Sequence, residues 1–197
     1  MKITKFTHSC VRVEADGTVL VIDPGIWAEP EALDGCDAVL VTHEHSDHIA
    51  PQLLAGRGLP VYAPAGAAIA GIGFTAVRPG ATFTAAGVPV RAVGGTHAPV
   101  YGDTPPCVNL GYIVADTVYH PGDALYVPAE EVQTLLVPMQ ASWLKTAEAI
   151  DFGRAVRHER SFGIHDGQIN QRGLDAINSW LGRGDDGYRW LAPGEQV

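Results

Sequence analysis

Cysteine is scarce in this chain: three residues in 197, Cys10, Cys36 and Cys107. They are odd in number, far apart and without CxxC spacing, which argues against a disulfide framework and leaves them as small, buried apolar residues. Positive charge is sparse as well, with 13 Lys and Arg against 22 Asp and Glu, a net charge of −9 and an isoelectric point near 5.2. No basic run exists, and a phosphate backbone is gripped by clustered cations, so no nucleic-acid partner is expected. Long apolar runs are missing too, none approaching the roughly 20 residues that span a bilayer. The opening Met1-Lys2-Ile3-Thr4-Lys5 starts a strand and lacks the apolar segment and cleavage site of a signal peptide. The expectation is a cytoplasmic protein with no membrane partner. Neither repeat nor linker divides the chain, and 46% apolar residues are ample for one domain over 1–197 with a sizeable core.

Short apolar or alternating segments between turn signals predict strands at 2–6, 11–15 and 19–22, with Ala15-Asp16-Gly17 as a hairpin turn. Further strands are expected at 37–41, 59–62, 74–77, 88–93, 110–115, 117–119 and 161–164. A short helix over 49–54 could be capped by Ser46, a longer one is expected at 143–157, and Leu174, Ile177 and Leu181 mark one face of a last helix.

What the chain does have is histidine, eight in all, with three in the seven residues Thr42-His43-Glu44-His45-Ser46-Asp47-His48. This cluster follows the buried-strand candidate 37–41, so its side chains leave the end of a strand. His43 and His45 are two apart, and in extended backbone both rings lie on one side. Asp47 and His48 follow and can turn toward a second point in space. Three more residues share the context of a loop after a strand: His97 in Gly94-Gly95-Thr96-His97, Asp123 in His120-Pro121-Gly122-Asp123, and His165 in Phe162-Gly163-Ile164-His165. Imidazole and carboxylate converging from distant parts of one chain point to bound metal.

His43, His45, Asp47 and His48 match the HxHxDH signature of the metallo-β-lactamase-fold superfamily, which the chain resembles from Met1 to about Gln168. His97, Asp123 and His165 fall on its later ligands in the same order, and Val21-Ile22-Asp23-Pro24-Gly25 on its first Asp-containing turn. The opening Phe6-Thr7-His8-Ser9-Cys10 is similar to the small single-domain branch that includes ascorbate-6-phosphate lactonase-like proteins. The resemblance implies an α/β chain folded as a four-layer αββα sandwich. It also implies that His43, His45 and His97 hold one metal, that Asp47, His48 and His165 hold a second, and that Asp123 bridges them. Such a site leaves positions open for a shared water, as a catalytic centre requires and a closed structural site does not.

The implied function is a binuclear metal-dependent hydrolase of a small ester, lactone or phosphoester, in which a metal-bridging hydroxide is the nucleophile and Asp47 orients it or relays a proton. The implied cofactors are two divalent transition-metal ions, zinc first on its imidazole-rich ligands, with manganese or iron as alternatives. His45 stands where the di-iron oxygen-reducing relatives carry Glu, which points away from redox iron. Asp123 stands where the common zinc β-lactamases carry Cys, and the helical substrate domain of glyoxalase II relatives has no counterpart in the thirty or so residues after His165. Both antibiotic and thioester hydrolysis are therefore disfavoured. The partner expected is a small-molecule substrate, for which an anion is admissible because a local metal centre outweighs a global charge. The alternative is a non-catalytic metal-binding or sensing module on the same fold.

Around this set, Asp23 is expected to hold a ligand imidazole by its other N–H rather than to bind metal itself. His8, Trp27 and Tyr101 are candidates for contact with substrate. His120 is a candidate for supporting a ligand or for the core, and His158 reads as an exposed residue at a helix end.

Overall fold

The computed structural model describes residues 1–197 and contains two sheets. The first runs in the order β1 (Lys2–Lys5), β2 (Val11–Ala15), β3 (Thr18–Ile22), β4 (Ala38–Leu40), β5 (Val61–Pro64) and β6 (Thr75–Val77). The second begins with β7 (Thr82–Ala85), β8 (Val88–Gly94) and β9 (Leu110–Val114), all antiparallel neighbours. It continues through β10 (Val118–His120), β11 (Val132–Pro138), β12 (His158–Ile164) and β13 (Tyr188–Arg189). From β3 to β6 and from β10 to β13 the pairing is parallel.

Side-chain alternation explains why the sheets stack in layers. In β3, Leu20 and Ile22 point inward, joining Val90, Leu110, Tyr112 and Leu136 of the second sheet in one buried cluster. The intervening Val19 and Val21 point outward and pack with Ala32, Leu33, Ile49 and Leu54, from the 3-10 turn Pro30–Leu33, the loop after β4 and the short helix α1 (Pro51–Leu54). The outer face of the second sheet offers Ile113, Leu135 and Val137 to Ala149 and Phe152 of α2 (Thr146–Ala155) and to Leu174 and Leu181 of α3 (Gln171–Gly184). Strands buried on both faces read as continuous apolar runs. The result is the four-layer αββα sandwich that the resemblance implies.

Several expectations need correction. Ser46 caps nothing, because α1 starts only at Pro51 behind Ala50. The helix expected at 143–157 starts at Thr146, where Glu148 accepts the N–H of Lys145 at 2.9 Å and closes the first turn. His158 sits at the start of β12 instead of a helix end, its side chain 8% exposed and 2.8 Å from Asp185 Oδ2. Strands β7, β11 and β13 have no counterpart in the sequence reading. No helix is long and apolar enough to cross a membrane.

Candidate metal centre

Four strand ends build the site. The loop after β4 carries His43, His45, Asp47 and His48, while His97 follows β8, Asp123 follows β10 and His165 follows β12. The side chains that leave β4 in the first sheet and β8, β10 and β12 in the second converge in one place, so ligands from both sheets meet at one end of the sandwich. His43 Nε2 lies 3.0 Å from His45 Nδ1, and His43, His45 and His97 form one group able to hold an ion. Asp47, His48 and His165 form another together with His8, and Asp123 lies between the groups.

The outer nitrogens decide which way each lone pair faces. His48 Nδ1–H donates to Asp23 Oδ2 at 2.7 Å, His97 Nδ1–H to the carbonyl of Ala98 at 2.6 Å, and His165 Nδ1–H to the carbonyl of Gln140. None of these acceptors can donate, so the proton is on Nδ1 and Nε2 presents a lone pair. Those three Nε2 atoms point at the Asp123 carboxylate, His48 and His165 from 3.1 Å and His97 from 3.5 Å. Lone pairs facing a carboxylate inside a protein repel one another unless positive charge lies among them. His48 Nε2, His97 Nε2 and Asp123 Oδ1 are buried without a hydrogen-bond partner, which is how metal-facing atoms look. The donor set therefore fits bound cations.

The same demand for positive charge appears in the pKa values. In the metal-free protein a second proton on His48 meets that demand: burial lowers its pKa, but Asp123 and Asp23 outweigh it and hold the imidazole well above its usual range. Burial raises that of Asp123, and His48 and His165 overturn it to hold the carboxyl well below its usual range.

His8 has the opposite tautomer. Its Nδ1 accepts the N–H of Gly167 at 3.1 Å, so Nε2 carries the proton and donates to Asp47 Oδ2 at 3.2 Å. The ring lies close enough to join the second group, yet it offers that group a proton and no lone pair. Burial raises the Asp47 pKa, but the bond from His8 and the charges of His48 and His8 bring it down to about 2. Asp23, fully buried, also accepts from the backbone N–H and hydroxyl of Thr42 at 2.7 and 2.6 Å. His8, Asp23 and His165 all have positive φ, 67°, 52° and 63°, a region that non-glycine residues occupy only where surroundings over-determine them.

The candidate substrate contacts fare differently. His8 is only 1% exposed and faces Asp47, not the opening. Trp27 packs edge-on against His8 with ring centroids 4.9 Å apart. Tyr101, 86% exposed, lines no part of the site's cavity. His120 is buried, its Nε2 2.9 Å from the carbonyl of Ser9 and 3.9 Å from Asp23 Oδ2, and its Nδ1 accepts the N–H of Gly122 at 3.1 Å. Cys107 is half-buried at the site's edge with Sγ 3.9 Å from His45 Nε2, so it is not a plain core residue. Two residues that sequence reasoning missed hold Asp123: Trp143 Nε1–H donates to its Oδ2 at 3.1 Å, and Asn109 Oδ1 accepts its backbone N–H at 2.9 Å.

A pH dependence of stability follows for the metal-free protein. Burial is the main cause that lowers the pKa of His8 to about 4, of His43 well below the ordinary value, and of His120 in the same direction. The unfolded chain then binds protons more readily than the folded one. Their contribution to stability is complete above about pH 6.5 and is lost as pH falls from there through the folded values. Burial lowers the pKa of His45 in the same direction, and His48 acts in the opposite sense, one residue against four. The urea midpoint should fall between pH 7 and pH 5, and a flat or rising midpoint would contradict this account.

Two layered sheets with a His- and Asp-rich cluster at one end define a metallo-β-lactamase-type fold. The chain belongs to the β-lactamase superfamily domain family, whose model matches residues 2–162. Protein Rv0786c of Mycobacterium tuberculosis is 41% identical over 177 residues, 84% of each chain. A UPF0173 metal-dependent hydrolase of Cereibacter sphaeroides is 32% identical over 152 residues, covering 62% of this chain and 63% of that protein. Among solved structures, Igni18, a metallo hydrolase from the archaeon Ignicoccus hospitalis, superposes with a TM-score of 0.74 at 22% identity, covering 100% of this chain and 97% of that one. That likeness bears on the fold alone.

Proposed function

We propose that the protein is a metal-dependent hydrolase with two metal positions, one at His43, His45 and His97 and one at Asp47, His48 and His165, bridged by Asp123. The observation that carries this reading is the set of imidazole lone pairs, fixed by their outer hydrogen bonds, that converge on the Asp123 carboxylate. Membership of the family and the hydrolase description of the Cereibacter relative support it. Imidazole-rich ligation favours zinc over manganese or iron.

Paired ions at such a site supply an acidified water and neutralise charge on the attacked oxygen. The chain's own residues do the rest. Asp47, ionised and held by His8, would fix the direction of the attacking water. Asp23 and the carbonyls of Ala98 and Gln140 keep the imidazoles in one tautomer. A cavity of about 190 Å³, with Asp47, His97, Asp123 and His165 in its wall, opens beside the ligands. That access favours catalysis over a sealed sensing or structural module.

Metal-loaded protein freed of excess should retain close to two ions per chain by elemental analysis. It should hydrolyse some member of an ester, lactone and phosphodiester panel and lose that turnover with a chelator. Failure to retain any ion, or turnover indifferent to chelator, would refute the proposal.

A further inference from the structure

Beside the ligand cavity lies a second one of about 560 Å³, and the two share His97 and Trp143 in their walls. Its size falls within the roughly 300–1,000 Å³ typical of small-molecule sites. Pro99, Leu125, Tyr126 and the Trp143 ring supply much of its apolar lining. Its one carboxylate is Glu148, held in place by its bond from the Lys145 N–H, and neither cavity has a Lys or Arg in its wall. Lys145 is the cation nearest Glu148 in sequence and is exposed, while Lys5 is buried against Asp166 at 2.9 Å.

We propose that this second cavity seats the substituent of the substrate and that this substituent is uncharged and apolar. The substrate class is then a neutral ester or lactone with a hydrophobic arm, not a phosphorylated or carboxylated one. The inference rests on the hydrolase reading above and narrows it. A phosphate or carboxylate seated here would cover apolar wall, face the exposed Glu148 carboxylate and meet no cation in the wall, so it gains nothing from the apolar surface that an uncharged arm would bury. His43, His45, Asp47, His48, His97, Asp123 and His165 would hold the ions that polarise the reacting carbonyl, and the arm would lie beyond Trp143, in the apolar space. Trp143 joins the two regions, since its ring forms the shared wall while its N–H holds Asp123. The reaction balances as simple hydrolysis: the water oxygen bonds to the carbonyl carbon, the acyl C–O bond breaks, and the alkoxide leaving takes a proton to give acid and alcohol.

The test uses zinc-loaded protein and matched γ-lactones, γ-decalactone and analogues whose alkyl arm ends in carboxylate or phosphate. The neutral member should have kcat/KM several-fold higher, as expected when a charged arm loses the apolar contact and meets a like charge of about 1 kcal/mol across solvent. Pro99→Arg, which puts a cation at the exposed rim of the second cavity, should narrow or reverse that preference. Trp143→Ala should raise KM for γ-decalactone far more than for γ-butyrolactone, which has no arm to seat. An independent readout is the indole N–H resonance of Trp143, assigned by its loss in Trp143→Phe. Titration with the neutral γ-lactam, a slow analogue, should shift it, and the carboxylate-ended lactam at equal concentration should not. A preference for the charged lactones, or a resonance that moves only with the charged lactam, overturns the substrate class and leaves the hydrolase reading intact. If neither lactone is cleaved and neither lactam shifts the resonance while phosphodiesters are hydrolysed, the class is likewise overturned. Absence of turnover on every substrate, with no retained metal, overturns the hydrolase reading itself.

Discussion

Asp123→Asn should strip metal from both positions at once and lower hydrolysis by about a hundredfold to a thousandfold. The carboxylate is the one group that faces His48, His97 and His165 together, at 3.1, 3.5 and 3.1 Å. Replacing it with an amide removes the buried negative charge that two cations would share. It also brings an N–H₂ donor toward imidazole lone pairs, so a hydrogen bond competes with metal where attraction used to be. The fold should persist, because Trp143 and the Asn109 contact to the backbone N–H of residue 123 do not depend on the charge. Elemental analysis beside circular dichroism measures both halves of the expectation. An Asp123→Asn protein that retains both ions and the original rate would show that the bridge has been assigned to the wrong residue.

The second large effect should come from a residue that binds nothing. Gly25 lies so close to the metal loop that a Cβ there would sit 1.8 Å from the carbonyl oxygen of Asp47 and 2.8 Å from the nitrogen of His48. Two backbone bonds hold the two segments together, Ile26 N to Ser46 O and Ala50 N to Pro24 O, both 2.9 Å, and Gly25 N to Asp23 O, also at 2.9 Å, fixes the turn itself. Backbone cannot yield as a flexible side chain can, so Gly25→Ala should destabilise by about 3 kcal/mol or more. It should also displace Asp47 and His48, costing the second metal position more than the first. Gly153→Ala is the counterpart of opposite sign, since its added Cβ meets nothing within 4 Å inside α2 and should stabilise by up to about 1 kcal/mol. Thermal midpoints and metal content of the two variants decide the matter. A Gly25→Ala protein as stable as the parent and fully metal-loaded would show that the loop can move aside.

The ligand candidates were legible in the sequence because their chemistry is dense and local: three histidines and an aspartate in seven residues, each later candidate in a loop just after a strand. The outer strands of the first sheet were legible for a similar reason, β2 matching its expected bounds at Val11–Ala15. β11 was not, since a run such as Val132–Pro138, buried on both faces, carries no period that separates strand from buried helix. The grip of Trp143 and Asn109 on Asp123 was equally hidden. Those contacts span 20 and 14 residues and depend on how α2 and β9 dock, which no local pattern encodes. Tyr101, a large aromatic in a long loop that suggested a pocket rim, is carried by that loop into solvent.

Polar contacts join the two sheets at the ligand end, among them Leu110 N to Thr42 O at 2.9 Å, Tyr112 Oη to Val41 O at 3.0 Å and His165 N to His8 O at 3.0 Å. Candidate ligands stand on both sides of that seam, His43, His45, Asp47 and His48 on one and His97, Asp123 and His165 on the other. Any ion held by this set is a cross-link between sheets as well as a reagent. Resistance to unfolding then becomes a property of the surrounding medium, rising by about 2.7 kcal/mol when free metal stands a hundredfold above its dissociation constant. Metal scarcity would loosen the sandwich at its seam, and the chain's lifetime would track metal supply even when no substrate is present.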